Sequence, residues 1–270
     1  MLIDFHTHAF PDSLAEKAVN VLVGGVERSG LGFDSTCFAD GKASGLKRLM
    51  DEGKVTHSVL LPVATRSGQA EGINIWADEL AGEDKRIIPF GAFYPDNDWE
   101  RNLECIAESG RKGIKLHGDF QNFYADEERM IDIYRRCGEL GLIVVMHAGL
   151  DCVSPDDIHV TPERMANVLD RVSGVRFVLA HMGGVCCEDK AAVILRGADI
   201  FVDTSYSAGR LSAEKMSELI RAYGSERVLF ASDSPWNRPI DVYRLLEDCC
   251  LEEHERRNIY YGHAAALLGL

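Results

Sequence analysis

The chain has 270 residues, 46% of them hydrophobic and 27% charged, and its 43 acidic against 29 basic side chains give a formal net charge of -14 at pH 7. That balance disfavours nucleic acid and anionic membrane as partners, because affinity for phosphate-rich surfaces comes from clustered Lys and Arg. No apolar run approaches the roughly 20 residues that cross a bilayer, and the first residues form neither a basic leader nor an apolar signal core, so a cytoplasmic protein is expected.

The first predicted strand, residues 2–5, runs into His6-Thr7-His8. Side chains two apart on a strand share a face, so both imidazoles point the same way. The interval that follows is the longest, and its Gly24, Gly25, Gly30 and Gly32 predict an extended loop after the first helix that covers the site. Further short apolar runs occupy 58–63, 87–93 and 113–117, the last with Lys115 and His117 on one face. After a helical stretch at 128–140, stopped by Gly141, the fifth run covers 142–147 and ends in His147. Thr161-Pro162-Glu163 reads as N-cap, first-turn proline and first-turn acid ahead of Met165, Val168 and Leu169, and Gly174 ends that helix. The sixth run, 175–181, ends in His181, and the seventh is 200–203. A helix over 212–223, stopped by Gly224, precedes the eighth run, 228–233, which ends in Asp233 before Ser234-Pro235.

Eight continuous apolar runs separated by amphipathic stretches are what a parallel sheet covered by helices requires. The expected fold is α/β, a (β/α)8 TIM barrel of parallel strands with its active site at their C-terminal ends. An open doubly wound sheet is the alternative, although no Gly-x-Gly-x-x-Gly turn follows any strand to bind a dinucleotide. No linker, charge block or repeat divides residues 1–270, so a single domain is expected. The eight cysteines include no Cys-x-x-Cys pair and read as free thiols.

Polar residues collect at the C-terminal ends of these runs: His6 and His8, Lys115 and His117, His147, His181 and Asp233. A lone histidine ending an apolar strand is more often a hydrogen-bonded structural group than a ligand. Five histidines and a carboxylate converging on one barrel mouth reverse that expectation, and the donor set suits zinc or a similar divalent ion at a catalytic centre. His57, ahead of its strand, belongs to the opposite end of the barrel, and His159, His254 and His263 receive no chemical role.

His6-Thr7-His8, Gly113-Ile114-Lys115-Leu116-His117, His147-Ala148-Gly149, Ala180-His181-Met182-Gly183-Gly184 and Ser232-Asp233-Ser234-Pro235-Trp236 resemble the amidohydrolase superfamily. The resemblance is to the amidohydrolase-related branch that includes aminocarboxymuconate-semialdehyde decarboxylase. It extends to Gly262-His263-Ala264-Ala265-Ala266-Leu267-Leu268, with His263 where that branch's closing motif has asparagine.

The resemblance implies one metal per chain, most simply Zn2+, held by His6, His8, His147 and Asp233, with His181 beside it. A divalent ion makes bound water ionise near pH 7, Asp233 takes its proton, and His181 shares or orients that transfer. On the fourth strand three roles compete: a carboxylated Lys115 bridging two metals, Lys115 as a substrate contact, and His117 as a further metal ligand. One metal with His117 as an added ligand and Lys115 on the substrate is the preferred assignment; a second metal stays open. Arg66, Arg210, Arg238 and Trp236 on loops following strand ends suit a small, carboxylate-bearing substrate, with Phe10, Phe120, Phe123, Tyr206 and Trp236 offering an apolar wall.

The function expected is metal-dependent hydrolysis of an amide, lactone or ester bond. Decarboxylation of an unsaturated or aromatic acid is the runner-up. A nuclease is disfavoured because Lys115 and His117 stand where an acidic residue is expected, and a barrel that only binds a metabolite is disfavoured by the intact polar set. A homodimer is compatible with the sequence.

Overall fold

The apolar runs become short parallel strands in the computed structural model, which describes all residues 1–270: β1 (Ile3–Thr7), β2 (His57–Leu60), β3 (Ile87–Pro89), β4 (Gly91–Ala92), β5 (Gly113–Leu116), β6 (Ile143–Met146), β7 (Arg176–Leu179), β8 (Ile200–Asp203) and β9 (Val228–Leu229). Strand order follows chain order, β1 to β3 and then β4 to β9. β3 and β4 are halves of the third predicted strand, interrupted at Phe90, whose N–H still donates to the Leu60 carbonyl at 2.9 Å. The first and last strands also meet. Phe5 N donates to Phe230 O at 2.9 Å, Asp233 N to His6 O at 2.8 Å and His8 N to Ser234 O at 2.7 Å, so the edges are joined as in a (β/α)8 barrel.

Two apolar layers hold this arrangement. Alternate strand residues, among them Ile3, Phe5, Val59, Phe90, Val145 and Val178, form a buried interior cluster onto which the last helix packs Ala264, Ala265 and Leu268. The opposite faces of the strands join a cluster of 48 buried residues shared with the surrounding helices. Full burial of each Leu, Ile or Phe contributes about 1.5–3 kcal/mol, so the outer layer dominates stability and the interior layer sets the floor beneath the mouth.

The predicted start and stop signals act largely as read. Thr161 Oγ1 accepts the Arg164 N–H at 3.2 Å and caps the helix Pro162–Arg171, although that helix already ends ahead of Gly174. Ser212 likewise caps the helix Ala213–Tyr223. The glycine-rich first interval differs from expectation. Gly24 and Gly25 lie inside the helix Asp12–Ser29, and the loop begins only at Gly30, whose φ of 67° closes the helix. Gly25 is required there by packing, since a Cβ would lie 2.5 Å from Val153 Cγ1. The loop that follows does reach the strand ends: Phe38 N donates to Pro235 O at 2.8 Å. No helix is long and apolar enough to cross a membrane.

Candidate active site

A register irregularity in β1 creates the centre of the site. Ile3 and Phe5 face the barrel interior, and a shift in pairing with β2 falls between Asp4 and Thr7, so that His6 and His8, rather than a continuation of the odd-numbered face, reach the mouth. Buried Asp4 anchors this segment to the last strand by accepting Ser232 N at 2.8 Å and Ser232 Oγ at 2.5 Å. Burial pushes the Asp4 carboxyl up to about 7, a cost borne by these bonds.

His6 Nε2 and His8 Nε2 stand 3.2 Å apart, and Asp233 Oδ1 lies 3.4 Å from the former and 3.2 Å from the latter. The opposite ring nitrogens fix the tautomers: His6 Nδ1 donates to Asp203 Oδ2 at 2.8 Å and His8 Nδ1 to Leu61 O at 2.9 Å. Each Nε2 therefore presents a lone pair toward the Asp233 carboxylate. Burial, reinforced by Lys115 and His8, holds the His6 imidazole well below its ordinary range and so neutral. Burial pushes Asp233 above the ordinary carboxylate range. Two imidazole nitrogens and a carboxylate oxygen converge here, and a divalent cation is a species that such a donor set fits. Three such donors would leave a coordination position open, as a catalytic rather than a structural site requires.

Around this triad lie Lys115, His181 and Asp203. Lys115, buried on β5, places Nζ 3.1 Å from His6 Nε2, and burial pushes its amine down to about 8. Asp203 Oδ1 accepts His181 N at 3.0 Å, Ser205 N at 3.1 Å and the Ser205 hydroxyl. The His181 ring turns Nδ1 to Ser205 and Nε2 to His147 Nδ1 at 3.1 Å, and burial keeps it neutral as well. Residues in the left-handed region gather here: His181 at φ 61°, Met182 at 54°, Tyr206 at 55° and Asp233 at 71°. Non-glycine residues held in that region cost about 1–3 kcal/mol each and concentrate where geometry is functional. Asp203 was not among the residues singled out by sequence, although its signal was present, since it ends the seventh apolar run as the other site residues end theirs.

The remaining expected ligands are gathered elsewhere in the mouth. His6, His8 and Asp233 form one group able to hold a metal ion; His117 and His147 form another with Asp151, all three buried. His117 lies stacked between His147 and Phe120, with ring centroids 4.1 and 3.9 Å apart. Burial pushes the His147 imidazole down to about 3 and raises Asp151; Asp119 is raised to about 7 by burial and then by Asp151. Asp151 and Asp119 sit on loop or single-turn segments after their strands, where no periodicity marks them.

The expected substrate groups are also sorted. Arg66 is exposed on the loop after β2. Arg210 is paired with Glu188 at 2.6 Å and also donates to Tyr206 O at 2.9 Å. Arg238 makes two bonds to Asp241, at 2.5 and 2.9 Å. Arg210 and Arg238 are therefore already neutralised. Trp236 is half-buried beside the site, its backbone N–H donating to Asp233 O at 2.9 Å, whereas Phe123 belongs to the outer core and lines no wall.

A family profile described as Amidohydrolase matches residues 3–270. No curated protein sequence matches the chain significantly. Among solved structures, an uncharacterized TIM-barrel protein from Bordetella bronchiseptica superposes with a TM-score of 0.79 at 17% identity, covering 99% of this chain and 98% of the other. A dihydroxybenzoic acid decarboxylase from Polaromonas sp., with bound manganese and the inhibitor 2-nitroresorcinol, gives 0.74 at 17% identity over 100% and 97%. A candidate 2-pyrone-4,6-dicarboxylic acid hydrolase from Acinetobacter baumannii, with citric acid bound, gives 0.68 at 15% identity over 100% and 99%. At these identities the likeness is one of fold.

Proposed function

The chain belongs to the amidohydrolase family, and on that premise we propose that it is a metal-dependent hydrolase cleaving an amide, lactone or ester bond in a small carboxylate-bearing molecule. The observation that carries this reading is the placement of Asp233, whose Oδ1 meets both His Nε2 atoms at 3.2–3.4 Å. His6, His8 and Asp233 would hold a divalent ion, with zinc the first candidate, and when bound it would supply Lewis acidity for a carbonyl and for water near neutral pH.

The chain's own groups do the rest. The second oxygen of Asp233 takes a proton from the attacking water and returns it to the leaving group. Neutral His181, tied to Asp203 through its backbone and to Ser205 through its ring, orients the substrate or shares the transfer. Lys115 reaches the same space from the barrel floor and suits a substrate carboxylate. Trp236 and Tyr206 flank the opening.

Lys115 is also the observation that favours decarboxylation as a second reading. A buried amine beside the ligand His6 can hold a carboxylate against the cation, and its proton can replace the departing carbon dioxide on carbon. The two readings separate in one experiment, in which metal-replete protein is offered lactones, amides and unsaturated or aromatic acids while ring opening or acid release and carbon dioxide release are followed together. Turnover by carbon dioxide release alone would overturn the hydrolytic reading.

A further inference from the structure

The helix Asp12–Ser29 does not lie where the first helix of a barrel normally packs. It starts soon after β1, and Gly25, near its other end, packs against Val153 on the loop that follows β6. Counting β3 and β4 as one, β6 is the fifth of eight strands around the barrel, so its end faces that of β1 across the mouth. A helix of 18 residues is about 27 Å long, enough to bridge that distance. The return path follows the rim. Tyr206, after β8, donates its hydroxyl to Asp34 O at 3.5 Å; Phe38 N donates to Pro235 O, after β9, at 2.8 Å; Phe10 N, after β1, donates to Gly41 O at 2.8 Å. The next helix, Ala43–Glu52, joins the outer layer through Leu46 and Met50 and takes the place left vacant beside the barrel.

The inward face of the crossing helix is apolar and loosely packed. Ala15, Ala18, Val19, Leu22, Gly25 and Val26 recur at helical spacing on one side, and Glu16, Lys17, Asn20 and Glu27 are exposed on the other. Only Ala15 and Gly25 are buried, whereas the shorter helix Ala213–Tyr223 buries Met216, Leu219, Ile220 and Tyr223. Val19 is held by the return loop, since a Cβ on Gly41 would lie 2.7 Å from its Cγ2. Leu22 and Val26 stay half-buried between the two anchored ends. An apolar face that spans the mouth without a core to pack on overlooks a chamber.

We propose that this helix is the roof of the substrate chamber and that Leu22 and Val26 are specificity-determining residues, selecting a substrate whose non-reacting part is apolar. This rests on the carboxylate-bearing substrate proposed above: Lys115 holds the carboxylate at the floor, and the rest of the molecule is directed toward the helix. Each CH2 withdrawn from water there is worth about fourfold in affinity. A small hydroxy acid gains nothing from such a roof.

The test uses the full chain loaded with Zn2+ and two probes, acetate and benzoate, whose binding is followed by the broadening of their own proton NMR signals. Both carry the carboxylate; only benzoate carries an apolar body. Benzoate is expected to bind at least about tenfold tighter. Leu22→Asn combined with Val26→Thr, which nearly keeps the size of both side chains, should bring the two acids within about threefold and leave acetate unchanged. Hydrogen exchange in residues 12–29 of the unsubstituted chain gives a second measurement, and decides the matter if the double variant fails to fold by circular dichroism: benzoate should slow it and acetate should not. Equal affinities for the two acids, a benzoate preference that survives the substitutions, or exchange that benzoate leaves unchanged overturns the roof while the carboxylate reading stands. If neither acid binds, the carboxylate-bearing substrate fails and the roof's role falls with it.

Discussion

His6 and Asp203, 197 residues apart in the chain, are joined by a hydrogen bond of 2.8 Å from Nδ1 to Oδ2 in a fully buried setting. Through its other oxygen the same carboxylate accepts the His181 N–H at 3.0 Å. One side chain thus fixes the tautomer of a proposed metal ligand and the backbone of a proposed acid–base residue.

Asp203→Asn should therefore act on both at once. An amide can accept on one side only, so either His6 Nδ1–H or the His181 and Ser205 N–H groups lose their acceptor, at a cost of about 1–3 kcal/mol. Affinity for the ion is expected to fall about 10–100-fold, the usual effect of removing a group that orients a ligand, with the folded signal retained. Competition against a coloured chelator measures this; unchanged affinity would show that His8 and Asp233 suffice to place the ion.

Asp233→Asn separates base from ligand. The amide keeps the turn and one coordinating oxygen but cannot accept a proton, so turnover should fall by about 10²–10⁴ while metal occupancy changes much less. Occupancy and rate are measured on the same preparation. Near-normal turnover with the ion bound would remove Asp233 as the base.

His181→Asn should likewise lower turnover about 10²–10⁴-fold with the triad's ion retained, because Asp203 still holds the backbone at this position. Loss of the ion together with activity would instead identify His181 as a ligand.

Removing the metal should also be visible in stability. An ion that binds only the folded chain adds about 2.7 kcal/mol when free metal is about 100 times its dissociation constant. For a chain of this size that raises Tm by several degrees. Differential scanning calorimetry with and without chelator gives the value, and superimposable curves would contradict the triad as a metal site.

Thiol chemistry tests the packing around the barrel. Exposed Cys105 and Cys250 should react with an alkylating reagent at pH 8 within minutes in the native chain. Cys137 is buried in the outer core, and burial pushes the Cys152 thiol up to about 12, so the reactive thiolate is scarce at pH 8 and both should be protected until unfolding. Mass spectrometry of peptides labelled over time distinguishes the groups; early labelling of Cys137 would contradict the helix packing described.

Much of the fold was legible because its determinants are local. Short apolar runs, the Thr161-Pro162-Glu163 cap and the polar ends of strands are each written in a few consecutive residues, and closing the barrel brings those ends to one mouth whatever their distance in the chain. On that ground His6, His8, Lys115, His117, His147, His181 and Asp233 could be placed together at the mouth. Their partition could not be read, because it depends on rotamers and partners fixed only in the folded chain. The β1 register shift that redirects His6, the turn that brings Asp151 to His117 and His147, and the Glu188 carboxylate that neutralises Arg210 are contacts between separate elements. Sequence determined which chemical groups arrive at the mouth; tertiary packing decided which of them meet, since hydrogen bonds and ion coordination act over about 3 Å and periodicity does not resolve position that finely.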